Sequence, residues 1–337
     1  MASIGIIANP ASGKDIRRLV SHATVIDNNE KINIVERIIL GAQECGVNKV
    51  YIMPDPYHMG YRVIDTLETS GELKCNIVVI DIDTVDGIED TINSVRFMNE
   101  KNVGCIITLG GDGTNRAVAK EIKDIPLIAI STGTNNVYPV MIEGTIAGIA
   151  AGVVASGKFN KALCTIKDKL IEVYKEDKLM DIALIDAVIS RDVFVGARAL
   201  WDIETIEKIF VARSHPASIG FSAVIGSKMI IREEDDFGAY VSVNKNGSCV
   251  LAPMAAGIVL PIATDQPILL SLNETFEFTT FCRGTIALDG EREIEFHEDQ
   301  NFGFKITRNG PYHIDIRKAI EVGQMNGFFN VCKVKED

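Results

Sequence analysis

The sequence predicts an α/β domain built on a parallel sheet, joined to a second, β-rich domain of sandwich type. Three observations carry this expectation. Up to about residue 140, short apolar runs alternate with helix-period patterns, as in a parallel sheet wrapped by helices. Beyond it the chain changes to many short strand patterns separated by Gly and Asn turns. The length of 337 residues suits two domains of roughly 100–200 residues each.

Ser3–Ala8 is a continuous apolar run and predicts a buried strand. Ile34, Val35, Ile38, Ile39 and Ala42 recur at helical spacing and predict a helix over Ile32–Cys45. Lys49–Met53 predicts a strand, Tyr61–Leu73 a helix, and the β-branched Asn76–Ile80 another strand. In Ile88–Glu100, Ile92, Val95 and Met98 share one helical face. Gly104–Leu109 and Pro126–Ile130 predict buried strands on either side of a helix over Asn115–Lys123. Gly144–Ala155, small and apolar, predicts a helix leading into the second unit. Strands are then expected over Ala162–Ile166, Ile171–Tyr174, Met180–Ser190, Gly238–Val243, Gly257–Leu260, Ile268–Leu272, Thr275–Phe281, Thr285–Leu288, Glu293–Phe296 and Phe302–Arg308. Val193–Phe210 is the helical exception, and Ile316–Phe329 predicts a closing helix. The expected division is 1–140, 141–310, and a C-terminal segment, 311–337, that packs back on the first domain.

Hydrophobic residues make up 47% and charged residues 24%, a composition that supports a sizeable core. The net charge of −12 argues against nucleic acid and anionic membrane as partners, since both need basic surface. No apolar run reaches the ~18 residues that span a bilayer, and Met1–Ala8 runs straight into an apolar strand without the basic region or the long apolar region of a secretion signal. A cytoplasmic location is the expectation. The seven cysteines, odd in number and without a C-x-x-C pair, predict buried reduced thiols. The acidic run Arg232–Asp236 reads as a solvated loop rather than a metal site.

Chemistry concentrates in three loops. Each follows a predicted strand, where an open α/β sheet places its ligands. The strongest is Gly110-Gly111-Asp112-Gly113-Thr114. Its glycines let backbone N–H groups approach phosphate oxygens, and the helix that follows turns the positive end of its dipole toward them. Asp112 is the sole ionisable side chain of this loop. A carboxylate beside phosphates is repulsive unless it serves something; it suits Mg²⁺ coordination or acceptance of a proton from an attacking hydroxyl. The second loop is Asn9-Pro10-Ala11-Ser12-Gly13-Lys14. It falls short of a P-loop, because Ala8 stands where that motif needs Gly and Asp15 where it needs Ser or Thr. Ser12, Gly13 and Lys14 still suit a phosphate tail. The third, Ser131-Thr132-Gly133-Thr134-Asn135-Asn136, offers hydroxyls and amides as neutral donors to phosphate or ribose oxygens.

On these motifs the sequence resembles the superfamily that joins NAD kinases with diacylglycerol and sphingosine kinases. Gly110–Thr114 is similar to its GGDGT signature, Asn9–Lys14 to the N-P-x-S-G-K start of the lipid-kinase branch, and Thr132–Asn135 to a G-T-x-N loop. Leu288-Asp289-Gly290-Glu291 is similar to the V-D-G-E motif of that branch, and Ala183–Ile189 to the A-L-N-E-x-V-I strand of NAD kinases. The pattern most resembles the AcoX-type proteins, the NAD-kinase-like members associated with acetoin catabolism. The resemblance implies an NAD-kinase-like α/β nucleotide-binding domain and a β-rich acceptor-binding domain, with the active site between them. It implies ATP and Mg²⁺, a nucleotide and a small-molecule substrate as partners, and self-association. It places Asn9, Ser12, Gly13, Lys14, Gly110, Gly111, Gly113, Thr114, Thr132, Gly133, Thr134, Asn135 and Asn136 at the nucleotide. Asp112 and Glu291 become the acid/base pair, Asp112 and Asp289 the metal-linked groups, and Asp186 and Asp289 the acceptor-binding ones.

The sequence departs from NAD kinases at Ile185, which stands where the Asn of their N-E pair reads the adenine. Asp186 keeps the acid, one methylene shorter, and His215–Ser222 is a loose echo of their T-P-T-G-S-T-A-Y stretch. The function implied is a Mg-ATP-dependent kinase, a phosphotransferase with an alcohol acceptor, acting on a hydroxyl of NAD(H) or a related soluble metabolite. Two alternatives stay open. Position 185 suggests a nucleotide-binding sensor without transfer, and the motifs at Asn9 and Glu291 suggest a lipid or sphingoid-base kinase. Sequence does not decide whether Asp112 or Glu291 takes the proton.

Overall fold

The computed structural model describes residues 2–12, 22–24, 26–192 and 203–330, with Arg292 described by its backbone alone. Strands β1 (Ala2–Ala8), β2 (Val47–Ile52), β3 (Asn76–Val79), β4 (Cys105–Gly110) and β5 (Pro126–Ser131) run parallel in the order β3-β2-β1-β4-β5. Helices α1 (Asn28–Glu44), α2 (Met59–Thr69), α3 (Ile88–Glu100) and α4 (Asp112–Glu121) make the crossovers. The apolar run of β1 serves both faces of the sheet: Ile4 and Ile6 enter the core under α1, Ile7 the core on the opposite side. Asp27 starts α1 by accepting the Glu30 N–H at 2.9 Å, and Ile34, Val35, Ile38, Ile39 and Ala42 form its buried stripe.

Helix α5 (Gly144–Ala155) lies directly on α1. A Cβ on Gly148 would sit 2.1 Å from the Ile38 carbonyl oxygen, and one on Gly152 2.4 Å from Cys45 Cβ, so the glycines at 144, 148 and 152 let the two backbones touch. The first sheet then gains two strands from later in the chain. β6 (Thr165–Lys167) and, near the C-terminus, β18 (Tyr312–Ile314) extend it in the order β5-β18-β6, with β18 parallel to β5 and β6 antiparallel to β18. Residues well beyond 140 therefore complete the first layer.

The second domain is an antiparallel sandwich. Between them in the chain come β7 (Leu170–Lys175), β8 (Lys178–Ala183), β9 (Asp186–Ser190), β10 (Ile206–Val211), the short helix α6 (Phe221–Gly226), β11 (Phe237–Ala255), β12 (Ile258–Thr264), β13 (Ile268–Ser271), β14 (Thr275–Thr279), β15 (Gly284–Leu288), β16 (Glu291–Phe296) and β17 (Asn301–Thr307), and helix α7 (Ile316–Met325) follows β18. One sheet runs β12-β11-β10-β9-β15-β16, with β13 pairing β11, and the other runs β14-β17-β7-β8. Their inner faces share a core in which the Phe210 and Phe304 rings stack at 4.2 Å.

Four expectations change. The single strand over Met180–Ser190 is two, β8 and β9, because the amides of Leu184 and Ile185 turn from the ladder to the Asp289 carboxylate. Of the helix expected over Val193–Phe210, residues 193–202 lie outside the described residues, and Ile206–Val211 is strand β10, its apolar residues buried between β9 and β11. The Ala162–Ile166 strand begins as a 3-10 turn at Lys161–Leu163. The described cysteines are free thiols, yet Cys75, Cys105 and Cys164 alone among them are buried: Cys45 and Cys282 are half-buried, Cys249 is exposed, and Cys332 lies outside the described residues.

Candidate active site

The three loops meet at the C-terminal ends of β1, β4 and β5, which are neighbours in the sheet. The strand order reverses between β1 and β4, so the loops stand at the switch point where such sheets place ligands. Asn9 Nδ2 donates to Thr114 Oγ1 at 2.9 Å, and the Ser12 and Thr132 hydroxyls lie 3.0 Å apart. The Lys31 amine, 1% exposed, reaches from α1 to the carbonyls of Asn9 (2.8 Å) and Ser12 (3.1 Å). The Thr134 hydroxyl accepts the Thr24 N–H at 3.1 Å, and Asn136 Nδ2 donates to Ser131 Oγ at 2.8 Å. Gly13 and Lys14 lie outside the described residues.

The glycines of the central loop leave room for other side chains. A Cβ on Gly110 would fall 2.6 Å from the Thr114 side chain, one on Gly111 2.8 Å from Asn136 Oδ1, and one on Gly113 3.0 Å from Glu291 Oε1. Gly133 is looser, its nearest neighbour being the Thr24 carbonyl at 3.6 Å.

Asp112, at the N-terminus of α4, is 7% exposed and held by the backbone of the third loop. The Val137 N–H donates to both of its oxygens at 3.1 Å, and the Tyr138 N–H donates to Oδ1 at 2.8 Å. The carboxylate faces a cleft between the two domains. Asn135, Asp186 and Asp289 add polar groups to its lining, and Ile185, Ile203, Ile219, Phe221, Met254 and Leu260 make it apolar elsewhere. The tip of the β11–β12 hairpin closes over the third loop: Ala256 N–H donates to Asn135 Oδ1 at 3.1 Å, and His22 N–H to the Ala256 carbonyl at 3.1 Å.

Asp289 and Gly290, with φ of 51° and 82°, form the two-residue turn between β15 and β16. The Asp289 carboxylate accepts from the amides of Leu184 (2.9 Å), Ile185 (2.8 Å) and Asp186 (3.3 Å). Burial pushes its carboxyl above the usual range, against the pull of Arg116 and these amides. Arg116, fully buried on α4, is ringed by Asp181 at 3.1 Å, Glu291 at 3.6 Å, Asp289 at 4.0 Å, and Glu293. Glu291 thus faces Gly113 and Arg116, while Asp112, Asp186 and Asp289 line the cleft.

Among the described residues no three His, Cys, Asp or Glu side chains are grouped to hold a metal. Asp112 and Asp289 already accept backbone N–H groups. This donor set fits a Mg²⁺ that arrives with nucleotide phosphates and keeps much of its water, better than a resident ion in a protein cage. Sequence reasoning missed Lys31, Arg116 and Tyr138. Arg116 alone gave a local signal, a guanidinium one turn beyond Asp112.

Residues 4–159 match the model of the ATP-NAD kinase N-terminal domain, and residues 169–309 that of the acetoin catabolism protein X C-terminal domain. Acetoin catabolism protein X of Cupriavidus necator is 35% identical over 327 residues, 93% of this chain and 90% of that protein. The fold is shared with yeast NADH kinase, solved in complex with NADH, at 14% identity and a TM-score of 0.51, over 100% of this chain and 90% of that one.

Proposed function

This chain belongs to the family of acetoin catabolism protein X, with an NAD-kinase-like first domain, and on that premise we propose that it is a Mg-ATP-dependent phosphotransferase acting on a hydroxyl of NAD(H) or a related soluble metabolite. One observation carries the reading. Asp112 stands at a helix N-terminus where three phosphate-type loops meet, and two backbone amides fix its carboxylate toward an interdomain cleft. Asn9, Ser12, Thr114 and the 132–136 loop would hold the phosphates of ATP by neutral donors, beside the dipole of α4. Mg²⁺, when bound with the nucleotide, neutralises phosphate charge. Asp112 orients the acceptor hydroxyl and takes its proton; Asp186 and Asp289 hold the acceptor's other polar groups. Asp112 is preferred to Glu291 as the base because it lines the cleft, whereas Glu291 is turned to Arg116.

The test is ADP release from Mg-ATP, with and without NAD, in the wild type and Asp112→Asn. The expected outcome is acceptor-stimulated ADP in the wild type, lowered about 10²-fold or more in the variant without loss of fold. Full turnover by Asp112→Asn would remove the role given to Asp112. ATP binding with no ADP under any soluble hydroxyl acceptor would favour the sensor reading, which the replacement at Ile185 supports.

A further inference from the structure

Both passages of chain between the domains meet at Asp168. The outgoing passage joins β6 to β7 through Asp168 and Lys169; the return joins β17 to β18 through residues 308–311. The Asp168 N–H donates to the Pro311 carbonyl at 2.9 Å, and the Gly310 N–H to the Asp168 carbonyl at 3.1 Å. A Cβ on Gly310 would fall 2.7 Å from that carbonyl oxygen, so a glycine lets the passages lie this close. The Asp168 side chain is fully buried. One of its oxygens accepts the Tyr138 hydroxyl at 2.6 Å, and the other accepts Arg213 of the second domain at 2.9 Å. The Arg213 guanidinium also lies over the Tyr138 ring, 5.0 Å from its centroid. Burial and the neighbouring Asp168 hold the Tyr138 phenol well above its usual range, so it stays a donor. Tyr138 is the residue whose backbone N–H holds Asp112 Oδ1 at 2.8 Å.

We infer that Asp168 is a positioning residue: through the Tyr138 hydroxyl it fixes the backbone amides that set the Asp112 carboxylate, so the seam between the domains decides where the acid of the cleft stands. The inference rests on the reading of Asp112 as the group at the reacting hydroxyl. Tyr138 ties one residue to both ends of the chain of contacts, by its amide to Asp112 and by its phenol to Asp168.

Asp168→Asn removes the buried one of Arg213's two carboxylate partners, the other being Glu233 at 2.7 Å, and endangers the fold, so the test uses Tyr138→Phe, which keeps the ring and removes the hydroxyl. Two quantities are read: hydrogen exchange of the Val137 and Tyr138 amides, and the kinetics of ADP release. In Tyr138→Phe the two amides should exchange about tenfold faster and kcat should fall about tenfold, with the KM for ATP held within about twofold. Lys169→Met is the control. It removes a buried cation of the same seam that donates to Arg232 and Phe237 carbonyls instead of Tyr138. It should lower stability and leave both readouts at wild-type values. Unchanged amides in Tyr138→Phe, or equal losses in the two variants, would overturn the inference. A wild type without ATP turnover would instead remove the proposed function, and the exchange measurement would still decide whether Asp168 positions Asp112.

Discussion

Lys169 is 1% exposed, and its amine donates to the carbonyls of Phe237 at 2.7 Å and Arg232 at 3.0 Å. Burial, with the Arg308 and Arg213 guanidiniums nearby, pushes its ammonium down to about 8. A neutral amine still has the two hydrogens that these carbonyls accept. Between about pH 8 and the unfolded value of about 10.4, the unfolded chain binds a proton that the folded chain has released, so stability rises with pH. The contribution is complete above the unfolded value and is lost as pH falls through about 8. Urea unfolding of the wild type and Lys169→Met at pH 8 and pH 10 should show the wild type gaining on the variant, by on the order of 1 kcal/mol. A difference that stays flat would mean that the ammonium remains charged throughout. At this scale the sequence reveals residues whose meaning is local. Asp112 declares itself because glycines flank it on both sides, and Asp289 because Gly290 completes a tight turn. Arg116 and Asp168 do not, because their partners come from far along the chain: Asp181, Glu291 and Glu293 for one, Tyr138 and Arg213 for the other.

Among the elements, α1 and α5 show how a small residue fixes a distance. Gly148 leaves no room for a methyl group, since a Cβ there would stand 2.1 Å from a backbone oxygen of α1 that cannot rotate away. Gly148→Ala should therefore destabilise the protein by about 1–3 kcal/mol, although alanine has the better helix propensity. Chemical denaturation checks this; a variant as stable as the wild type would show that the helices separate at little cost. Helix α1 is legible because burial on one face repeats along its sequence, and β1, β4 and β5 because an unbroken apolar run marks a strand buried on both faces. The break between β8 and β9 is invisible in a run as apolar as Ala183-Leu184-Ile185, because its cause, the Asp289 carboxylate, lies a hundred residues away. β18 escapes for a related reason: three residues carry no period, and they become a strand by lying between β5 and β6.

The two domains are not two consecutive pieces of chain. β6 and β18 belong to the first sheet, and Ile314, Ile316 and Ala319 fill the same core as Ile4, Ile38 and Ala147. A fragment ending at residue 160 would leave the outer edge of β5 unpaired and that core short of side chains. It should be insoluble, or a compact state without fixed packing, as gel filtration and near-ultraviolet circular dichroism would report. A soluble fragment with sharp, dispersed amide resonances would show that the first domain stands alone. The same layout bears on how the protein is made. Synthesis delivers β5 early, but its outer neighbour emerges only with Tyr312, after the strands of the sandwich. The half of the molecule that leaves the ribosome first is thus the half that finishes folding last, holding an open sheet edge while the whole sandwich is translated behind it.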